Sequence, residues 1–396
     1  MKSYNSKLKI EMKLASRLNS VNEYYFSKKL REIAELNAQG KAIINLGIGS
    51  PDLAPAAATI AVLTEKVILP NVHGYQSYQG APQLRGAIAQ FYKTHYGAEL
   101  NAANEILPLI GSKEGIMHVC MTYLERGDAA LVPNPGYPTY RSAVILAGAK
   151  VMEYKLSEKN GWLIDFDALA QRDLSKVKLM FVNYPQMPTG TPATRAFFDN
   201  LITFAQQNGI LIVHDNPYSF ILSDAPTSIC GSEGWRDCAV ELNSLSKSHN
   251  MAGWRIGWLA GKAEHVSEII RFKSNMDSGM FLPMQLAAAE ALNADADWYR
   301  DLNKTYARRQ KKAMELLTLL GCKFDKKQQG LFVWAKVPKQ YKDGYELADK
   351  ILYGANVFIT PGGIFGSQGS NYVRVSLCCD EKIFDQAIQR MLDVGF

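Results

Sequence analysis

The run N-S-L-S-K-S-H-N-M-A-G-W-R-I-G, from Asn243 to Gly257, decides how this chain is read. It sets Lys247 between small hydroxyl residues and places Arg255 eight positions on. A strand-like run, Ala239–Leu242, leads in, and a second apolar run, Ile256–Ala260, leads out. Lys247 therefore sits on a turn at a strand end, where a scaffold aims a side chain into a cleft. Most lysines are solvated surface charges. This one has Ser244, Ser246 and Arg255 as neighbours, groups suited to one dianion beside a nucleophilic amine.

Working outward, strand-like and helix-like segments alternate. Strand-like runs fall at Ile106–Ile110, Ala129–Val132, Lys178–Asn183 and Ile210–Asp215. Helical patterns fall at Lys113–Leu124 and at Phe197–Asn208, the latter ended by Gly209. This alternation predicts an α/β fold with a mainly parallel sheet covered by helices on both faces. Ligands then bind outside the carboxyl ends of the strands. The last third differs. A long helical stretch, Ala287–Leu320, precedes strand-like pieces at Leu331–Val337, Val357–Ile359 and Tyr372–Leu377, and a helix follows at Lys382–Leu392. That is an α+β module, and 396 residues are too many for one simple core, so two domains are expected.

Composition narrows the function classes. The net charge of +6 is spread over short basic runs interleaved with acids, without the basic stripe that nucleic-acid binding needs. The six cysteines have no metal-ligand spacing, so no metal site is expected; reduced, mostly buried thiols in a cytoplasmic protein fit them. No run reaches transmembrane length, and the basic N-terminus, residues 1–18, lacks an apolar secretory core; it reads as an arm or first helix.

The Lys247 stretch resembles the pyridoxal-phosphate lysine motif of class I/II aminotransferases of fold type I. The resemblance runs from about Asn45 to Arg374 through at least seven spaced motifs in family order. The segment LPLIGSKEGI is similar to the branch of LL-diaminopimelate aminotransferases and their relatives. It implies a large domain, residues 51–285, with a seven-stranded sheet in an α/β/α sandwich. Residues 286–396, with residues 1–50 as N-terminal arm and joining segment, then form a small α+β domain. It also implies pyridoxal 5′-phosphate as cofactor, bound to Lys247 as a Schiff base, amino acid and 2-oxo acid substrates, and a homodimer with shared sites.

Further residues carry over motif by motif. Asp215 and Tyr218, in HDNPY, match the family's Asp-x-x-Tyr, which contacts the ring nitrogen and the ring O3′. A protonated ring is the better electron sink. His214 points to the other face if the strand alternates, and reads as structural. Ser112 and Lys113, in GSKEG between a strand and a helix, match the phosphate cradle, where backbone N–H groups and the helix dipole favour an anion. Tyr137, in the rigid loop PNPGYP, matches the aromatic that stacks on the ring. Tyr75 matches a tyrosine that reaches the neighbouring subunit's phosphate. Gly49 matches the glycine that lets backbone approach the substrate carboxylate. Arg374, alone in the apolar run Tyr372–Ser376, matches the carboxylate-binding arginine, whose fork suits that group. Tyr24, in EYYF, resembles a tyrosine that closes over substrate.

Two positions depart from the pattern. Met187, in NYPQMPTG, stands where the family has an asparagine that donates to O3′, and methionine cannot donate. Asn183, four residues earlier, is not an obvious replacement. Ser278 falls near a position where diaminopimelate enzymes present an asparagine from the second subunit. The expected activity is transamination by a ping-pong mechanism. A C–S β-lyase or decarboxylase shares the same lysine, aspartate and arginines, and a non-catalytic pyridoxal-phosphate protein is the alternative that Met187 supports. A dinucleotide-binding protein is disfavoured, because the glycines at 47 and 49 are not followed by the third that the fingerprint requires.

Overall fold

In the computed structural model of the protein, which describes residues 12–396, the alternating segments build one seven-stranded sheet. The strands, numbered along the chain, are β1 (Ile44–Asn45), β2 (Ile106–Leu109), β3 (Ala129–Asn134), β4 (Lys150–Lys155), β5 (Val177–Val182) and β6 (Leu211–Asp215). They continue as β7 (Ala239–Ser244), β8 (Gly257–Gly261), β9 (Phe332–Lys336), β10 (Val357–Phe358), β11 (Thr360–Pro361) and β12 (Tyr372–Ser376). The large sheet has the order β2-β8-β7-β6-β5-β3-β4. Every pair from β7 to β4 is parallel, and β8 runs antiparallel to both β7 and β2.

Alternate residues of these strands enter two separate cores, as period-two side-chain geometry requires. Leu131, Met180, Ile212 and Trp258 join one cluster with helices Pro82–Tyr96 and Arg195–Asn208. Ala130, Phe181, Val213 and Leu259 join the other with helices Ser112–Tyr123 and Ala263–Lys273. The sheet is thus covered on both faces, which explains its nearly continuous apolar strands.

A third core gathers around the three-stranded sheet β11-β12-β9 and draws in Ile44 and Leu46 from the N-terminal side. Parallel pairing of β1 with β10 fixes the N-terminal segment there. The stretch expected as one long helix is two. Helix Leu282–Ala291 stops, and the Asp295 carboxylate accepts the Trp298 N–H at 3.0 Å to open helix Ala296–Leu319. An N-cap of this kind outcompetes helix propensity across a short polar break. Of the N-terminal arm, residues 1–11 lie outside the described residues, and Ser16–Ser20 forms a short 3-10 turn.

His214 and Glu241 show why β6 and β7 tolerate charge inside the sheet. Glu241 is fully buried and accepts from Tyr92 Oη at 2.6 Å and Ser228 Oγ at 2.6 Å, with His214 Nδ1 at 2.9 Å. The imidazole is structural, as its register predicts. Glu241→Ala is expected to lower unfolding free energy by about 3–5 kcal/mol, because it strands three buried polar groups. Urea denaturation monitored by circular dichroism would measure it.

Candidate active site

The site forms where five strand ends meet. The carboxyl ends of β2, β3, β5, β6 and β7 deliver, respectively, Ser112 and Lys113, Tyr137, Asn183, Asp215, and Ser244 through Lys247. The reversed strand β8 starts at the same edge, which is how Arg255 arrives beside Lys247 after a short loop. Arg255 has φ of +57°. A left-handed conformation costs a non-glycine residue about 1–2 kcal/mol, so the fold tolerates strain to aim this side chain. The small sheet closes the other side through Phe332 of β9 and Arg374 of β12.

These residues line one cavity of ≈ 660 Å³. It gathers Lys247, Ser112, Lys113, Tyr137, Asp215, Tyr218, Ser244, Ser246, Arg255, Gly49, Arg374 and Tyr24. Of the expected site residues only Tyr75 lies elsewhere. It is 93% exposed and lines a separate crevice with Tyr78 and Arg271. The loop carrying Ser278 packs on the backbone of Gln76 and Ser77, outside the cavity.

The electrostatics are one-sided. Lys113, Lys247, Arg255 and Arg374 line the cavity, and none has a carboxylate partner among the described residues. The one lining carboxylate is Asp215. Its Oδ2 accepts the Tyr140 hydroxyl at 2.8 Å, while its Oδ1 is buried without any partner. Burial pushes this carboxyl up to about 6, against the hydrogen bond from Tyr140. Burial likewise lowers the Lys247 amine, which makes it a better nucleophile near neutral pH. Lys247 Nζ donates to the Gly49 carbonyl at 2.6 Å. Burial draws Arg374 down to about 10, so it remains a cation at neutral pH.

The turn around Gly49 is held by a series of neighbouring carbonyls. Leu46 O accepts from Ser376 N, Gly47 O from Arg374 Nη2 at 2.9 Å, Ile48 O from Ser376 Oγ, and Gly49 O from Lys247. Asp52 then locks onto Arg309 through two bonds of 2.6 and 2.8 Å. A Cβ at Gly49 would lie 2.3 Å from the Phe332 ring, so only glycine fits. Asn134 at the end of β3 ties the opposite wall. Its amide nitrogen donates to Ser367 Oγ, its oxygen accepts from Gln368 N, and Gly136 N donates to Phe365 O nearby.

Sequence reasoning passed over several lining residues. Tyr140 orients Asp215, and Phe26, Phe332 and Phe365 surround Arg374. Asn183 does line the cavity, but its Nδ2 donates to Asp215 O and its Oδ1 accepts from Met187 N. These two bonds tie the loop before Met187 to the end of β6. Met187 places its sulfur 3.2 Å from Arg374 Nη1. Glu114, His118 and Asp277 cluster outside the cavity, where His118 Nε2 lies 2.9 Å from Glu114 and Lys273 Nζ pairs with both Asp277 oxygens at 2.5 and 2.6 Å.

The residues fit pyridoxal 5′-phosphate. A vacant buried carboxylate oxygen suits a protonated ring nitrogen, and unpaired cations with the N-terminus of helix Ser112–Tyr123 suit a phosphate. Gly111 before that helix has φ of +83°, a conformation that favours glycine, and lies against the Arg255 guanidinium.

The chain is similar to known proteins over almost its whole length. The family model described as aminotransferase class I and II matches residues 41–391. The LL-diaminopimelate aminotransferase of Dehalococcoides mccartyi is 38% identical over 96% of this chain and 98% of its own length. That of Halothermothrix orenii is likewise 38% identical, with 96% and 98% covered. A substrate-bound BacF structure from Bacillus subtilis superimposes with a TM-score of 0.93 at 34% identity, covering 97% of this chain and 98% of that one.

The half-satisfied Asp215 carboxylate has a consequence for stability. Its folded pKa near 6 exceeds the ordinary 3.8, so the ligand-free fold carries no cost for this charge below about pH 4 and the full cost above about pH 6. Asp215→Asn is therefore expected to stabilise the cofactor-free protein at pH 8, by on the order of 2 kcal/mol, and to give no gain at pH 4. Thermal melts of the cofactor-free variant and parent at both pH values test the sign.

Proposed function

The chain belongs to the class I and II aminotransferases, and we propose that the lined cavity is its active site, with Lys247 as the catalytic residue. The enzyme is a pyridoxal-phosphate-dependent aminotransferase that moves an amino group between an amino acid and a 2-oxo acid by ping-pong turnover. The observation that carries the residue assignment is the convergence of Lys247, an orphaned Asp215 oxygen and three further cations without carboxylate partners in one cavity.

Pyridoxal 5′-phosphate supplies, when bound, an aldehyde that condenses with amines and a ring that draws electrons from the adjacent carbon. This chain's residues do the rest. Ser112, Lys113, Ser244, Ser246 and Arg255 hold the phosphate. Asp215 keeps the ring nitrogen protonated, and Tyr140 keeps Asp215 in place. Tyr137 packs on the ring, and Tyr218 steadies O3′. Arg374, with backbone at Gly49, grips the substrate carboxylate. The Lys247 amine, when free, would hold and move the proton of the substrate Cα, as base and then as acid. Tyr24 shields the site from water.

In this reading residues 51–285 hold the cofactor, and residues 12–50 with 286–396 cover the substrate. The working form is a homodimer. Tyr75 is 93% exposed, and Tyr78, Met276 and Phe281 are exposed at 43%, 52% and 38%. His73 stacks on Phe281, which brings these two loops together. An apolar surface of this kind, carrying a phosphate-binding tyrosine, is suited to a second copy of the chain. No described helix is long and apolar enough to cross a membrane, and a cytoplasmic location is our reading.

Borohydride reduction of the holoenzyme should fix the cofactor on the peptide containing Lys247, and label on another lysine would overturn the assignment. Asp215→Asn should lower kcat by about 10²–10³-fold, the scale of one lost preorganised electrostatic contact. The shared site makes its own test. Lys247→Ala and Tyr75→Ala proteins, each inactive or weak alone, should recover activity on mixing, because a hybrid dimer contains one intact site. Mixtures no more active than their parts would count against the shared site.

A further inference from the structure

We infer that the substrate of this aminotransferase carries one carboxylate and an uncharged apolar or aromatic side chain. We infer too that Met187 with Phe26, Phe332 and Phe365 makes this selection. The inference rests on the active-site reading above and adds the substrate class to it.

The first observation is what surrounds the carboxylate-binding group. The guanidinium carbon of Arg374 lies 3.7 Å from the Phe332 ring centre, 4.6 Å from that of Phe365 and 5.5 Å from that of Phe26. Its Nη1 points at the Met187 sulfur and its Nη2 at a backbone carbonyl. Phe26, Met187, Phe332 and Phe365 belong to a single buried hydrophobic cluster, with Tyr24, Ile48 and Tyr137 packed against it. The cavity wall around Arg374 is therefore the open edge of a hydrophobic core. A side chain laid against it gains by apolar burial.

The second observation is the charge count. The lining offers Lys113, Lys247, Arg255 and Arg374 against Asp215. A phosphate dianion takes Lys113 and Arg255, the substrate α-carboxylate takes Arg374, the aldehyde takes Lys247 and the ring nitrogen takes Asp215. Nothing charged in this chain's lining remains for the far end of a substrate. A diaminopimelate-type molecule carries both an ammonium and a carboxylate there. Set against the buried rings of Phe26 and Phe332 they would be desolvated without partners, which is strongly unfavourable. Methionine in place of an amide at 187 removes one more polar contact.

The test uses the assembled holoenzyme, so that any residue of a second subunit takes part. The cofactor's visible band is titrated with unreactive carboxylates: 3-phenylpropanoate and 4-methylpentanoate against glutarate and pimelate. In parallel, kcat/KM is measured for L-phenylalanine, L-leucine, L-glutamate and LL-diaminopimelate with a common 2-oxo acid. The monocarboxylates should bind, and the apolar amino acids react, at least about tenfold better, the scale on which apolar pockets discriminate. Phe26→Leu, which keeps the core filled, should weaken 3-phenylpropanoate more than 4-methylpentanoate. Tighter pimelate binding, or faster turnover of diaminopimelate or glutamate, would overturn the substrate class and leave the aminotransferase standing. Absence of turnover with every donor, together with absence of any spectral response, would overturn the active-site reading itself.

Discussion

The cavity holds more positive charge than the fold can neutralise. Four cationic side chains and one carboxylate share a space of ≈ 660 Å³ at the end of the sheet, and the carboxylate touches none of the cations within salt-bridge distance. Arg374 is buried among apolar rings without a carboxylate, a costly placement that the packed scaffold around it supports, whereas Lys113 and Arg255 reach solvent. Two cores flank the seven-stranded sheet and a third backs the small one. Stability invested there supports a site that is itself unfavourable until anions enter. The vacant oxygen of Asp215 is the same imbalance with the sign reversed.

The geometry that sustains this state is mostly backbone. Parallel strands bring their carboxyl ends to one edge, and the single reversal at β8 returns the chain to that edge with Arg255. From the small sheet, β12 sends Arg374 and Ser376 into the carbonyls of residues 46–48. The N-terminal turn and the carboxylate-binding arginine are thus one hydrogen-bonded unit, and Asp52 bound to Arg309 continues it onto helix Ala296–Leu319. Cation and turn hold each other before any substrate arrives.

How much of this was legible in the sequence follows from where each signal lies. Lys247, Asp215, Ser112 and Tyr137 follow directly on strand ends, so a local pattern of apolar run and turn marks them. Arg374 announced itself as a charge within an apolar strand. Tyr140, Phe26, Phe332 and Phe365 are ordinary core-forming residues in helices, strands and turns far apart in sequence, and only folding brings them together around Asp215 and Arg374. Asn183 was placed correctly on its strand end, yet its role depends on partners at 187 and 215. The break before Asp295 escaped because alanine-rich flanks read as helix, and one capping carboxylate overrode them.

The two sides of the cavity mouth are fastened differently. Phe365 lies on a turn stitched by Asn134 and Gly136 to the strand end that presents Tyr137, so these two walls move as one. Tyr24, Phe26, Ser27 and Leu30 instead belong to the start of helix Tyr25–Ala38, which buries only Phe26 and Ile33 along its own length. That wall is held by two buried side chains of the helix and by the Tyr353 hydroxyl on Glu32. Ile33, seated with Leu352 and Phe358, is the inner anchor of that wall, so the hold of the helix on the site depends on a small apolar contact set remote from the reacting groups.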